Sequence, residues 1–233
     1  MTDPTQQGFV SPPSSGMIAL SKGEAVSLAQ KAAKGVGYSW GEAEDIGAII
    51  RRAGGNHQLL LTYLATYLSS VEFVPPQPVS VSGGWRSIDN AHCPLRLGVA
   101  LLDSTWPDPS MTLSLGNIRY PVLFFEFLPP LLAQTKQIAK FHCRSYTVAF
   151  SEDGTASYRS AGEWKDVAED TRLTFETRDD AYKFRPLDTS QFERVAVQRE
   201  IVEALQALAH RTYAPETEAS RARGAGSGQP DTD

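Results

Sequence analysis

The sequence predicts an α+β protein, with helices at both ends and a largely antiparallel sheet between them. Capping-box patterns, in which a serine is followed three residues later by a glutamate, stand near both ends of the chain. Prolines and paired glycines break helical periodicity after residue 70, and period-two alternation is confined to the second half.

Residues 1–16 are polar, rich in Pro, Ser and Gln, and read as a disordered extension. Ordered sequence begins at Met17-Ile18-Ala19-Leu20. In Ser21-Lys22-Gly23-Glu24 the hydroxyl and the carboxylate can satisfy two backbone donors at a helix start. The helix predicted there runs to about Lys34, buries Ala25, Leu28, Ala29 and Ala32 on one face, and stops at Gly35 and Gly37. Ser39-Trp40-Gly41-Glu42 opens a second helix to about Ala53, and a third spans about His57 to Ser70. Residues 17–70 are therefore expected to form a helical subdomain.

Residues 71–188 read as a mixed α/β part. Pro75, Pro76, Pro78 and Gly83-Gly84 mark loops and short strands up to about residue 120. Val122 to Ala139 fits a helix bent by Pro129-Pro130. Phe141 to Ser151 and Thr155 to Arg159 flank Glu152-Asp153-Gly154 as a hairpin, and Arg172 to Arg178 alternates as a strand. Ser190-Gln191-Phe192-Glu193 predicts a long helix over 189–213, with Phe192, Val195, Ile201, Leu205 and Leu208 near one stripe. Residues 17–213 are expected to be one domain. The 214–233 tail, without a large apolar residue, reads as flexible.

Composition narrows the partners. A net charge of −5 and a pI near 5.4 argue against nucleic acid and anionic membranes, both of which reward a basic surface. No uncharged apolar run approaches the roughly 20 residues of a membrane helix. The N-terminus lacks the basic start and apolar core of a secretory signal, so a reduced, cytoplasmic protein is expected.

Both cysteines follow a histidine, as His92-Cys93 and His142-Cys143. Two Cys and two His match the ligand count of a tetrahedral zinc site, but adjacent residues on a strand face opposite ways and cannot grip one ion. One residue from each pair, meeting in space, stays open as an alternative, but no metal site is expected. Each cysteine is either a small core hydrophobe or a thiol activated by a partner from elsewhere in the fold. Glu126, the only charge between Arg119 and Lys136, sits among Phe124, Phe125, Phe127 and Leu128. Apolar surroundings raise a carboxylate toward acid–base use, unless it reaches water at the helix edge. Glu44 and Asp45, beside Trp40 at a helix start, can hold a cation or amine, or simply complement the helix dipole. The glycine-rich Gly224 to Gly228 stretch has no strand before it and no helix after it, so no cofactor is expected.

Three segments resemble a family of uncharacterised bacterial proteins carried as a domain of unknown function. They are Gly37-Tyr38-Ser39-Trp40-Gly41-Glu42-Ala43-Glu44-Asp45-Ile46-Gly47; Cys93-Pro94 with Gly98 and Leu101-Leu102-Asp103; and Glu218, Ser220 and Arg221 with Gly224 to Gly228, Asp231 and Asp233. Asp45 stands where the family more usually has Glu. The resemblance implies no activity, but it singles out Cys93 over Cys143 and implies a tail that folds over a pocket, which joins Arg221 to a candidate ligand pocket of Trp40, Glu44, Asp45, Cys93 and Asp103. Two functions are expected from this reading. One is a non-catalytic accessory protein of a small-molecule metabolic pathway, docking to a protein partner or to itself; the other is an enzyme binding a polar small molecule around Trp40, Cys93 and Asp103.

Overall fold

The computed structural model describes residues 16–53, 56–72, 75–104, 112–151, 156–160, 166–177 and 194–212. The architecture is α+β, with a small two-stranded sheet and a larger seven-stranded one. The chain opens with strand β1 (Met17–Ser21), followed by helices α1 (Lys22–Val36), α2 (Trp40–Arg52) and α3 (His57–Ser70). The first two of the three expected capping boxes are formed. The Ser21 and Ser39 hydroxyls accept from the amides of Glu24 and Glu42, whose carboxylates accept from the serine amides in return. A left-handed Gly37 ends α1.

Ala25, Ala29, Ala32 and Ala33 form the buried face of α1. Small side chains let neighbouring backbones come close, and Gly35 carries this furthest: a Cβ there would lie 1.8 Å from the Leu208 carbonyl oxygen. That carbonyl belongs to α7 (Arg199–His210), the last described helix, which packs against α1.

The segment before α7 departs from expectation. In place of one helix from residue 190, Arg194–Gln198 is a strand, β9, paired antiparallel with β1 from Met17↔Gln198 to Ser21↔Arg194. Val195 and Val197 are buried while Arg194, Ala196 and Gln198 are exposed, and this period of two prevails over the helical reading. Ser190 to Glu193 lie outside the described residues, as do residues 1–15 of the expected 1–16 extension, the expected turn at Glu152 to Gly154 and the expected 214–233 tail.

The large sheet runs in the order β2-β3-β4-β8-β5-β6-β7. Its members are β2 (Val79–Val81), β3 (Gly84–Arg86), β4 (Thr112–Arg119), β5 (Gln137–His142), β6 (Tyr146–Phe150), β7 (Ala156–Ser160) and β8 (Val167–Thr177). Every pairing is antiparallel except β3 with β4. The expected hairpin is present as β6 paired with β7, but Phe141 and His142 belong to β5 and not to its first strand; the alternation expected from Arg172 lies in the longer β8, with Arg178 outside the described residues. Helix α4 (Pro94–Leu102) occupies a stretch expected to hold only loops and short strands. The single bent helix expected over 122–139 is two, α5 (Pro121–Phe125) and α6 (Leu128–Thr135), and Lys136 in the left-handed region turns the chain into β5.

Two apolar clusters result. One joins α1, α2, α3, β9 and α7; the other lies between the large sheet and α4, α5 and α6. Helix α4 and the α5–α6 segment serve both, because Cys93, Leu95 and Phe127 belong to the first cluster while Leu97, Phe124 and Leu128 belong to the second. No helix among the described residues is long and apolar enough to cross a membrane.

Candidate functional site

The Trp40 segment and the Cys93 segment meet where α2 and α4 begin. Cys93 is the N-cap of α4, and its Sγ accepts from the Arg96 amide at 3.3 Å, with Pro94 at the first turn where a missing N–H is harmless. The Tyr38 hydroxyl lies 3.1 Å from the same sulfur. Tyr67 brings a second phenol close to both groups, without reaching hydrogen-bond geometry. Burial pushes the Cys93 thiol and both phenols up, so all three are neutral at ordinary pH. A thiol at 4% exposure whose pKa is raised is poorly placed for nucleophilic attack.

Arg96 locks this junction. Its Nε donates to Glu42 Oε1 at 2.8 Å, Nη1 donates to the Pro75 carbonyl, and the guanidinium stands over the Tyr38 ring, 5.6 Å from its centroid. Gln77 Nε2 donates to the same Glu42 oxygen at 3.0 Å. Burial pushes the Glu42 carboxyl up, but hydrogen bonds from the Ser39 amide and Arg96 outweigh it and hold the group low. The capping glutamate of α2 is thus also the anchor for α4. Neither Arg96 nor this second role of Glu42 was legible from sequence, since the partners are separated by 54 positions.

Trp40 stands on this base, at the first position of α2 and 59% exposed. The Lys34 ammonium lies 5.4 Å from its ring centroid. Trp40 and Cys93 therefore do not line one pocket: the first faces solvent, and the second is sealed beneath Tyr38.

A different set of expected residues shares an electrostatic neighbourhood. Asp45 is half-buried, and its carboxyl is pushed up by burial, then by Asp103 at the end of α4 and by Glu44, against the opposing charge of Arg52. Arg52 donates to the Glu126 backbone carbonyl at 3.3 Å and faces the charges of both Glu126 and Asp45. Glu126, half-buried between α5 and α6, is pushed up to about 7 by burial despite Arg52. Asp45, Asp103 and Glu126 are linked through Arg52 and Asp45, whereas Arg221 lies outside the described residues.

The two His-Cys pairs do not combine, because Cys93 belongs to the helical cluster and Cys143 packs against the sheet cluster. His142, at the end of β5, has Nδ1 3.1 Å from Thr147 Oγ1. Among the described residues no group of three or more His, Cys, Asp or Glu could hold a metal ion. A groove of about 440 Å³ between α1 and α7, lined by Leu20, Leu28, Lys31, Gln206 and His210 among others, holds none of the expected site residues.

The geometry defines an α+β protein in which the starts of α2 and α4 are joined by Arg96 and Glu42 beneath an exposed tryptophan. Over residues 20–52, which cover α1, α2 and both capping boxes, the chain is similar to a family described as Protein of unknown function (DUF3726). No curated protein and no solved structure gives a significant match to the chain.

Proposed function

We propose that this is a non-catalytic accessory protein that binds a protein partner through Trp40. The carrying observation is a tryptophan 59% exposed on a base fixed by the Ser39–Glu42 capping box and the Arg96 clamp. Tryptophans held rigid before binding make strong anchors, since little ordering cost remains to be met on association. The chemistry beneath supports the same reading: Cys93, a candidate nucleophile or ligand contact in the enzyme reading, caps a helix inside the core. The cysteines are unpaired, in keeping with a reducing cytoplasm, and an enzyme of small-molecule metabolism is the partner class this reading names. The test is affinity capture from the native extract with wild-type protein and Trp40→Ala, followed by quantitative mass spectrometry. The variant should keep its melting temperature and lose its specific partner by about tenfold or more. Retention of every partner by Trp40→Ala would overturn the proposal.

A second reading has its own observation, the Glu126 carboxyl raised to about 7 beside Arg52 and Asp45. A raised carboxyl beside a guanidinium and a second carboxyl suits acid–base work on a polar small molecule. A thermal-shift panel of amines and carboxylic acids separates the readings, since a ligand whose shift disappears in Glu126→Gln but persists in Trp40→Ala favours the second.

A further inference from the structure

Helices α4, α5 and α6 pack on one face of the large sheet, where Leu113, Phe141, Val148 and Leu173 join them in the sheet cluster. Side chains alternate along a strand, so Ser114, His142, Thr147 and Arg172 stand on the opposite face. Register sets these four in one row across β4, β8, β5 and β6. Ser114 is opposite Arg172, Arg172 opposite His142, and His142 opposite Thr147. The next row holds Thr112, Thr174 and Lys140, with the two threonine hydroxyls 3.1 Å apart.

The charges of this face are unbalanced. Arg172 is exposed, and among the described residues its guanidinium has no hydrogen-bond or ion-pair partner. Opposed residues of an antiparallel pair have Cβ atoms about 5 Å apart, which puts this cation beside the His142 ring. The Thr147 hydroxyl engages Nδ1 of that ring and leaves Nε2 to donate. His142 is held low first by burial, then by Lys140 on its own strand and by Arg172 on β8; Glu176 on β8 opposes them. Glu176 is paired with Lys140, and the β6 residue opposite His142 is the uncharged Thr147. Arg172 is therefore the cation left without a counter-charge.

We propose that the row Ser114–Arg172–His142 is a binding site for a dianionic oxyanion, the phosphate group of a small polar monoester. The Arg172 fork matches two oxygens of such a group, and His142 Nε2 donates to a third. The Ser114 hydroxyl, at the other side of Arg172, and the Thr112–Thr174 pair meet the hydroxyls of the ester's polar body. The bound dianion supplies the charge that Arg172 lacks and favours protonated His142. By linkage, affinity then rises as pH falls through the His142 range, for a ligand whose own charge stays fixed. The site is a sheet face open on one side, so affinity in the region of about 1 mM is expected.

Nuclear magnetic resonance of the His142 ring, titrated with sulfate and with glycerol phosphate against chloride at equal ionic strength, tests this. Sulfate keeps its charge from about pH 8 to about pH 5.5, and its affinity should rise at least about threefold across that range, as the His142 midpoint moves up by about half a pH unit. Glycerol phosphate at about pH 7.5 should bind at least as tightly as sulfate, because the row's hydroxyls engage its body. Arg172→Gln should weaken both ligands about tenfold or more. Arg144→Gln removes the same charge from an exposed arginine already paired with Glu169 and Asp170, and should change affinity less than about twofold. Circular dichroism confirms that both exposed sites tolerate the change. No ring response up to about 50 mM of either ligand overturns the proposal. So does sulfate binding without glycerol phosphate binding, a sulfate affinity independent of pH, or equal losses in Arg172→Gln and Arg144→Gln. Trp40 takes no part in this row, so the outcome leaves partner capture through Trp40 to its own test.

Discussion

Glu126 makes the sharpest statement a single side chain offers. Its folded-state carboxyl is raised to about 7 from an ordinary 4.5. Between those values the folded state holds more protons than the unfolded one, so stability falls as pH rises through the window. The full difference is up to about 3 kcal/mol, present below pH 4.5 and gone above pH 7. Asp45, also raised, acts in the same direction. His92 and His142, lowered chiefly by burial, act oppositely and withdraw stability as pH falls through their range. Comparing wild type with Glu126→Gln isolates the one group. Urea unfolding at pH 8 should find the variant more stable by a few kcal/mol, shrinking to little at pH 4.5; a pH-independent difference would refute the shift. This residue was legible from sequence because its isolation among phenylalanines is a local property. Arg52, which opposes the shift, was not, since it comes from another helix 74 positions away.

Elements with local signals were read well, and those defined by distant partners were not. The capping boxes of α1 and α2 are complete within four residues, and both formed as expected. The capping box at Ser190 promised a helix, yet Arg194–Gln198 pairs with β1, a partner far back in the chain. Helix α4 was missed although its signal was present: Pro94 at the first turn, then Leu95, Leu97, Gly98 and Leu101 at helical spacing. Cys93 drew attention as a chemical group, and its role as a cap went unread because sulfur is an unusual cap acceptor. The α1–α7 contact yields the prediction at this scale. Gly35→Ala sets a methyl against the Leu208 carbonyl, and both groups belong to helix backbones that cannot give way separately. The helices must part, at a cost of about 1–3 kcal/mol or more, read as a lowered urea midpoint. An unchanged midpoint would show that the close approach is absent.

At the scale of the whole molecule, α4 and the α5–α6 segment bind two apolar clusters into one body. Phe127 is fully buried in the helical cluster, its ring filling the space beside Gly98, while its chain neighbours Phe125 and Leu128 serve the sheet cluster. Phe127→Ala should cost about 3–5 kcal/mol and lower the stability of both halves together. Far-ultraviolet dichroism and near-ultraviolet dichroism should then give coincident transitions. Separate midpoints would mean that the clusters unfold independently. The α+β class was legible because it needs only the order of local patterns along the chain. The assignment of α4 to both clusters depends on long-range packing, which no pattern in the sequence records.

The pairing of β1 with β9 also orders events in time. Met17 meets Gln198 and Ser21 meets Arg194, so the first described strand waits for the last. On a ribosome, β1 and the alanine face of α1 emerge early, but Val195, Val197, Leu205 and Leu208 are made some 170 residues later. Until then this part of the helical cluster is open to water, and closing so long a loop is slow. The nascent chain therefore holds this face without its β9 and α7 partners through most of its synthesis.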